Sequence, residues 1–440
     1  MEFCDNVTFG QRTRALSTCT IAFTACFAVW TIFSIIGIRI KQELALPDTL
    51  FGILVATPIL TGSLSRLALG IWTDQYGGRL VFTLIMLISA VATWMLTWVN
   101  TYYMYLLVAL GIGLAGGSFA VGIAYVSTWY PRSLQGTALG IFGMGNVGAA
   151  VTNFAAPFLL IAIGWHGVAK VYAIVLFITA IVFWLSTEDD PALLYRKKTG
   201  SKPAGALKQM ESLQYLQVWR FSLYYFFVFG AFVALALWLP RYYIGAFGLD
   251  IKTAGMLTFL YSMPGGVFRA LGGWMSDKFG ARQVMYVTLL ACVLCTFILS
   301  YPSTEYTVHG IKGDISFHIS IGLVPFVLLT VVLGFFMSLG KAAVYKHIPV
   351  YYPNYVGSVG GIVGLVGGLG GFILPILFGI MNDVLQIWTS CFMLLFVITA
   401  VALVWMHVSI LKLDASKFPD VHKPRYLPEL ESGVRQNERQ

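Results

Sequence analysis

The sequence predicts an all-α integral membrane protein with twelve transmembrane helices arranged as two related halves of six. Three observations lead to this prediction: the composition, the spacing of the apolar segments and an internal repeat. Of the 440 residues, 58% are hydrophobic and only 11% are charged, and the mean hydropathy is +0.79. Soluble domains usually carry about 25% charged residues. The composition therefore excludes an ordinary soluble protein.

Twelve apolar segments are long enough to cross a bilayer, which takes about 20 helical residues. One long polar stretch divides six of these segments from the other six. We predict an N-terminal bundle at 1–186, a cytoplasmic linker at 187–218, a C-terminal bundle at 219–411 and a cytoplasmic tail at 412–440. The predicted helices are 16–38, 51–72, 80–99, 103–129, 136–163, 168–186, 219–242, 251–274, 281–301, 318–350, 357–381 and 388–411.

The net charge of +9 reflects membrane topology rather than a nucleic-acid partner. Lysine and arginine concentrate near the N terminus, in the linker and in the tail, which an even number of spans places on one side. Because basic segments stay in the cytoplasm, we expect both termini there, in a bacterial inner membrane. We expect the lipid bilayer as the surroundings, no nucleic-acid partner and a monomer.

The six cysteines predict neither disulfides nor a metal centre. Five lie in apolar spans, and the one close pair, Cys292 and Cys295, has no companion pair or histidine. Small buried thiols usually behave as core hydrophobes. A membrane enzyme or sensor would need a catalytic cluster or a soluble signalling domain, and the sequence shows neither. We therefore predict no enzyme, no metal and no cofactor.

A segment that contains an arginine occurs twice at a fixed offset. GSLSRLALGIWTDQYGGR in the second span and GGVFRALGGWMSDKFGAR in the eighth share six identical positions, each pair 203 residues apart. Chance rarely keeps six identities in one frame. Because each half has an even number of spans, this is a repeat of parallel topology.

The charged end of the repeat, G-x-x-x-D-x-x-G-x-R, falls in the turn after each of these two spans. It contains Asp74 with Arg79 in the first half and Asp277 with Arg282 in the second. Twelve spans in two halves, a basic central loop and this duplicated turn resemble the major facilitator superfamily of transporters. The resemblance covers nearly the whole chain, and it implies that these four residues form a conformational latch rather than a substrate site.

Arg66 and Arg269, one in each copy of the repeat, lie about two helical turns inside the membrane, where a charge costs several kcal/mol unless it is paired or hydrated. A glycine stands four residues before and after each arginine, so each occupies a small-residue face of its helix. None of the 19 acidic residues falls in the middle of a predicted span. We therefore predict that the missing counter-charge is a substrate anion between the two halves.

Three further segments resemble the nitrate/nitrite porter family within the superfamily. They are GGSFA at 116–120, GMGNVG at 143–148 and GIVGLVGGLGG at 361–371. In that family, one arginine from the second span and one from the eighth bind the substrate anion. The resemblance gives this role to Arg66 and Arg269.

The same resemblance implies the rest of the substrate site. Phe119, Tyr225 and Phe229 would form its walls, and Asn146 would supply a polar contact. Tyr225 and Phe229 are four residues apart, which places them on one helix face. Ser118 stands where many members of the family have asparagine.

Nitrate suits these residue types. It is a small planar monoanion, and two opposed guanidinium forks would clamp it with paired N–H donors. The dense glycines of the fifth and eleventh spans allow close helix packing and sliding. A larger or divalent anion, such as phosphate or an organic acid, is an alternative that would need more donors and a roomier pocket.

Lys341 is a third positive charge well inside a span. Two roles stay open for it: snorkelling into a polar crevice, or participation in coupling, because buried lysines lose their proton readily. Its segment, MSLGKAAVYKHIPVYYP, resembles the porters thought to be nitrate/proton symporters. This favours nitrate uptake with protons by alternating access, and nitrate/nitrite antiport is the alternative.

Overall fold

The computed structural model describes residues 8–199, 214–352 and 356–417. Ten helices of this described part are long and apolar enough to cross a membrane. One of them, Thr137–Ser186, has 50 residues, or about 75 Å of helix, against a hydrocarbon thickness of about 30 Å. Gly164 interrupts it with non-helical backbone angles, φ 70° and ψ 169°. It therefore forms two spans.

A twelfth span is hidden because its helix is broken. Ile251–Val267 and Arg269–Phe279 are separated only by Phe268, whose ψ of 6° leaves the helical range. Neither piece is long enough alone, but together they cross once. The predicted all-α fold of twelve membrane helices is confirmed, with the eighth helix broken rather than continuous.

We number the membrane helices in chain order. They are α1, Phe9–Glu43; α2, Asp48–Tyr76; α3, Gly78–Trp98; α4, Tyr102–Trp129; α5, 132–163; α6, 165–186; α7, Leu216–Phe247; α8, Ile251–Val267 with Arg269–Phe279; α9, Ala281–Leu299; α10, Leu323–Tyr351; α11, Val356–Leu385; and α12, Ser390–Lys417. The helices alternate in direction. We call the end that holds the start of α1 and the α6–α7 connection the linker end, and the opposite end the distal end.

The predicted linker, 187–218, contains a short helix, Pro191–Thr199. Asp190 joins this helix to the first half, because its Oδ1 accepts from the N–H of Leu193 at 2.7 Å and its Oδ2 from that of Gly78 at 3.0 Å. Residues 200–213 of the predicted linker and 418–440 of the predicted tail lie outside the described residues.

The connection between α9 and α10 forms a β-hairpin at the distal end. Its strands are β1, Thr304–Gly310, and β2, Gly313–Ile319, paired antiparallel. Gly313 permits the turn with a φ of 133°. Because β2 extends to Ile319, α10 begins at Leu323 instead of the predicted 318.

Asp250 starts α8 at the distal end as an N-cap. Its carboxylate accepts from the Thr253 hydroxyl at 2.6 Å and from the backbone N–H groups of Lys252 and Thr253. These bonds, the one from the Thr253 hydroxyl foremost, hold the pKa of the Asp250 carboxyl below its usual value. The cap satisfies donors that a helix leaves unpaired at its first turn.

Four helices form the outside of the bundle. On α3, α6, α9 and α12, large apolar side chains such as Val91, Leu185, Phe297 and Val404 are exposed. In a membrane these surfaces face lipid. The two halves meet chiefly through α2 with α11 and through α5 with α8.

The two halves touch at the distal end and diverge toward the linker end. A Cβ added to Gly255 of α8 would lie 2.5 Å from the carbonyl oxygen of Asn153 on α5. Nearer the linker end, a Cβ on Gly70, Gly140 or Gly273 would meet nothing within 4 Å. At these three glycines the surface between the halves is therefore less closely packed than at the distal end.

A buried polar cluster joins the halves near the distal end. The Asn153 amide accepts from Ser34 Oγ at 3.0 Å and donates to the Ala236 carbonyl and to Ser262 Oγ, both at 3.3 Å. Asn153 and Ser34 belong to the first half, whereas Ala236 and Ser262 belong to the second. Asn153 therefore ties α5 to α7 and α8 in this conformation.

Candidate anion site between the two halves

Arg66 lies on α2 and crosses the boundary between the halves. Its side chain is buried, with 5% exposed, and its Nη1 donates to the carbonyl of Gly364 on α11 at 2.6 Å. Its guanidinium carbon lies 5.5 Å from the ring centre of Phe119 and 5.4 Å from that of Phe229. Its Nε is buried without a hydrogen-bond partner. The guanidinium thus uses Nη1 in a hydrogen bond to α11, whereas its Nε–H is still available to a ligand.

Arg269 is the counterpart of Arg66 and crosses the boundary in the opposite direction. It is the first residue of α8 after the break at Phe268, and 6% of it is exposed. It lies against Gly143 of α5, where a Cβ would be 2.9 Å from its Nε. Its Nη1 is buried without a partner. The repeat therefore places each arginine against the glycine-rich helix of the other half.

Phe119 of α4 brings the two arginines into one site. Its ring centre lies 5.5 Å from the Arg66 guanidinium carbon and 5.2 Å from that of Arg269. The two guanidinium carbons are therefore no more than about 11 Å apart. Within the described residues, neither arginine forms an ion pair with a carboxylate. The site therefore combines two buried positive charges with no internal anion.

Tyr225 and Phe229 form a flat wall on α7. Their rings are stacked, 5.0 Å apart and 9° from parallel. They lie where α7 changes to a π-helical turn, Phe226–Ala231. Such turns are rare and occur often at functional sites. Phe229 borders Arg66, so the wall faces the site that the sequence predicted for these two rings.

Asn146 lies in a 3₁₀ turn of α5, Met144–Val147, three residues after the glycine that contacts Arg269. Its side chain is completely buried, and neither its Nδ2 nor its Oδ1 has a hydrogen-bond partner. Native proteins rarely leave a buried amide unpaired. An unpaired amide at this depth therefore points to a polar ligand.

Tyr345 of α10 belongs to the same site, although the sequence reasoning missed it. Its ring centre lies 5.8 Å from the Arg269 guanidinium carbon, and it packs edge-on against Tyr225 at 5.0 Å. Its hydroxyl donates to the Gly360 carbonyl at 3.2 Å. The available signal was its position one helical turn after Lys341, which places both on one face of α10.

Lys341 lies one layer farther toward the distal end. It is completely buried, and its Nζ donates to the carbonyl of Gly265 at 2.7 Å. Its Nζ also lies 3.1 Å from the ring centre of Phe232. Gly265 is four residues before Arg269 on α8, so Lys341 is a third cation near the two arginines. The described residues offer it no carboxylate.

The residues of the predicted latch lie at the linker end, away from this site. Gly77 and Gly280 follow α2 and α8 with φ angles of 90° and 88°, so both turns use a backbone that favours glycine. Asp277 forms an ion pair with Lys346 of α10 at 2.5 Å. The equivalent carboxylate in the first half, Asp74, lies in the last turn of α2.

The two latch arginines contact neighbouring helices of their own halves. Arg79 Nη2 donates to the carbonyl of Trp184 on α6 at 2.6 Å, and its guanidinium carbon lies 4.1 Å from the indole ring centre. Arg282 Nη2 lies 3.4 Å from the Tyr351 hydroxyl on α10. In the conformation seen here, these contacts do not cross between the halves.

Known proteins share both the sequence and the fold. Residues 18–311 match the family model of the Major Facilitator Superfamily. The chain is 42% identical over 422 residues to the Probable nitrate/nitrite antiporter NarK1 of Thermus thermophilus, covering 92% of this chain and 93% of that protein. It is 28% identical over 362 residues to the Nitrite extrusion protein of Bacillus subtilis, covering 82% of this chain and 85% of that protein.

Among solved structures, the fold matches a bacterial homologue of the human lysosomal transporter Spinster with a TM-score of 0.70. The two chains are 16% identical, and the match covers 91% of this chain and 97% of the other. That likeness concerns the fold alone, whereas the sequence relatives extend over nearly the whole chain. These proteins are transporters, not enzymes. The chain belongs to the nitrate/nitrite porter family of the Major Facilitator Superfamily.

Proposed function

We propose that this protein carries nitrate, and nitrite, across a bacterial inner membrane by alternating access, with both termini in the cytoplasm. One observation carries the proposal: two buried arginines from opposite halves converge on one site that holds no carboxylate among the described residues. A small monoanion supplies the missing counter-charge. The transport path lies within one chain, so a monomer suffices.

The donors left unpaired in the site match the oxygens of nitrate. Arg66 Nε, Arg269 Nη1 and Asn146 Nδ2 are all buried without partners, and nitrate has three acceptor oxygens. Each bond to a guanidinium is charge-assisted and therefore stronger than a neutral one. Removal of the anion would leave like charges facing each other in a low-dielectric interior, which is unfavourable.

The aromatic wall favours a flat anion over a tetrahedral one. The ring centres of Phe119 and Phe229 lie 5.5 and 5.4 Å from the Arg66 guanidinium carbon, and Tyr225 is stacked on Phe229. Flat apolar rings beside the arginines suit a planar ion and help to exclude water. A divalent tetrahedral anion such as phosphate would need more donors than the three unpaired ones. Phosphate and organic acids are therefore the weaker substrates on this proposal.

The direct test is uptake of labelled nitrate into proteoliposomes that contain the purified protein. Nitrate should accumulate, nitrite and nitrate should compete with each other, and phosphate and chloride should compete weakly. Competition by formate, a smaller planar monoanion, shows how strongly the shape of the anion determines its binding. Liposomes that fail to take up nitrate both under an imposed pH gradient and after preloading with nitrite, or uptake that phosphate inhibits as well as nitrite does, would exclude this substrate.

For the energy source, we propose proton symport with Lys341 as the coupling residue. Lys341 is buried beside Arg269 and lacks a carboxylate partner within the described residues. An ammonium can give up its proton when it is buried, whereas a guanidinium stays charged. A neutral Lys341 would lower the surplus positive charge that opposes the return of an empty carrier.

Nitrate/nitrite antiport is the second candidate, favoured by a different observation. Both arginines remain charged when the site is empty, so a carrier that reorients only with an anion bound avoids exposing bare charges to the closed interior. The relative from Thermus thermophilus is named as an antiporter. Vesicles decide between the two: symport predicts uptake driven by an imposed pH gradient, and antiport predicts uptake only when the vesicles are preloaded with nitrite or nitrate.

A further inference from the structure

A group of charged side chains closes the distal end between the two halves. The carboxylate of Asp48, at the start of α2, accepts two hydrogen bonds from Arg241 of α7. Arg241 Nε donates to Oδ1 at 3.0 Å, and Nη2 donates to Oδ2 at 3.2 Å. Lys41 of α1 lies 3.1 Å from the same Oδ1. Asn382 of α11 also donates to Asp48, and Asp383 accepts from its backbone N–H at 3.0 Å. We call these five residues the distal charge cluster.

Arg241 holds Asp48 with the geometry that suits a small planar anion. Two N–H groups of the guanidinium fork meet two oxygens of one carboxylate, which is the bidentate arrangement. Nitrate, nitrite and formate also present two oxygens in one plane with a single negative charge. The guanidinium carbon also lies 4.7 Å from the ring centre of Trp388, so the indole ring contacts the fork. Asp48 therefore occupies a site that would also fit a planar monoanion.

The pair is formed across the boundary between the halves. Asp48 belongs to the first half, as does Lys41, whereas Arg241 and Trp388 belong to the second. When the distal end opens, Asp48 leaves with α2 and Lys41 leaves with α1. Arg241 then stays against Trp388 without its carboxylate, and an arginine fork without a partner attracts an anion.

The cavity beside the pair is bordered by basic side chains, although the cluster as a whole is balanced, with Lys41 and Arg241 against Asp48 and Asp383. Two cations, Lys41 and Arg241, share the one carboxylate of Asp48. A cavity of about 170 Å³ adjoins them and is lined by Ile38, Lys41, Gln42, Arg241 and Ile244. No acidic residue is among those five. A concave surface lined by one sign of charge raises the local concentration of the opposite ion.

We propose that Arg241 is a second subsite for the transported planar monoanion, at the distal mouth, and that Asp48 fills it as an internal substitute while that end is closed. The proposal rests on the function proposed above. An anion that arrives from the distal side binds Arg241 as the halves separate. Its passage to the central arginines frees Arg241 to take Asp48 back, which links departure of the anion to closure.

The test is a double-mutant cycle between Asp48→Asn and Arg241→Lys, read as the half-saturating external nitrate concentration for uptake by intact cells. Arg241→Lys keeps the charge and loses the fork. The subsite predicts that this change raises the half-saturating concentration about fivefold in the Asp48→Asn background, equivalent to about 1 kcal/mol for a partly exposed charge pair. Asp48→Asn alone should lower it, because the internal competitor is gone.

The double-mutant cycle also has a specific result that would contradict the subsite. If Arg241 serves only as the partner of Asp48, Arg241→Lys changes nothing further once Asp48 is asparagine, and that result overturns the subsite. Arg39 provides the matched control, because it is exposed at the same end and bonds to Gln42 at 3.0 Å rather than to a carboxylate. Arg39→Gln should leave the half-saturating concentration within about twofold of wild type, because exposed charges are screened by salt. A wild-type protein without nitrate uptake overturns the proposed function, and the subsite with it.

A second measurement avoids the Asp48 variant, which weakens closure. In Ile244→Cys, on α7 one helical turn after Arg241, the new thiol would line the same cavity. External nitrate should slow its reaction with a membrane-impermeant maleimide, and Arg241→Lys should remove that protection. Equal reaction rates with and without nitrate, in an Ile244→Cys protein that still transports, would overturn the subsite.

Discussion

Replacing Gly143 by alanine should impair nitrate binding while the protein stays folded. The added Cβ would lie 2.9 Å from Nε of Arg269 and 3.2 Å from its Cζ. Carbon and nitrogen atoms in contact usually keep about 3.5 Å or more, so the guanidinium must retreat by about 0.6 Å. Hydrogen bonds tolerate a range of only about 0.5 Å, so at least one bond to the anion is lost. A charge-assisted bond contributes about 1.5–3 kcal/mol, which corresponds to about 10- to 150-fold weaker binding.

Gly140 is the matched control, one helical turn earlier on the same helix. A Cβ there meets nothing within 4 Å. Alanine in a helix is favoured over glycine by about 0.5–1 kcal/mol, so neither change should destabilise the helix itself. We expect Gly140→Ala to transport like wild type and Gly143→Ala to show a raised half-saturating concentration, with Tm values close to that of wild type for both.

The assay is the initial rate of labelled nitrate uptake into proteoliposomes over a range of concentrations, at equal protein content, together with the Tm of each purified variant. A half-saturating concentration for Gly143→Ala within about twofold of wild type, or 0.4 kcal/mol, would refute the reasoning, because Arg269 would then not depend on its fit against α5. Equal losses in both alanine variants would also refute it. In that case the stiffness of α5, rather than the position of Arg269, would limit transport.

Three further predictions concern single side chains. Arg66→Lys and Arg269→Lys should each abolish nitrate uptake in a folded, inserted protein, because an ammonium cannot reproduce the guanidinium fork; near-normal uptake by either variant would remove that arginine from the clamp. Lys341→Gln should abolish the dependence of uptake on an imposed pH gradient and preserve nitrate exchange, and an unchanged dependence would leave Lys341 a packing role. Asn153→Ala deletes the bond to Ser262 of the other half and should lower the free energy of unfolding by about 1–3 kcal/mol, read as a lower Tm. An unchanged Tm would mean that the halves do not depend on this contact.

The central site was predictable where its residues violate the chemistry of a membrane helix. Arg66 and Arg269 stand out because a charge in an apolar segment is costly and because the repeat duplicates it. Asn146 stands out only through the resemblance to the porter family. Tyr345 could be recognised only through its position one helical turn after Lys341, because a tyrosine in a membrane helix is otherwise ordinary.

The distal charge cluster shows more clearly what could not be predicted from the sequence. Asp48 and Arg241 are 193 residues apart in the chain, and each looks like an ordinary charge at the end of a helix. Their pairing depends on how the two halves dock. No local pattern marks either residue as the partner of the other.

By itself, the sequence determined the membrane location, the twelve spans, the division into two halves and the two unneutralised arginines. These properties depend on the hydropathy of contiguous residues and on a repeat, which are both readable along the chain. The tertiary structure decided the break at Phe268, the π-turn beside Tyr225 and the contact of Arg66 with Gly364, 298 residues away. Those features arise from packing between distant segments, because the free energy that selects them belongs to the contacts and not to any one stretch of chain.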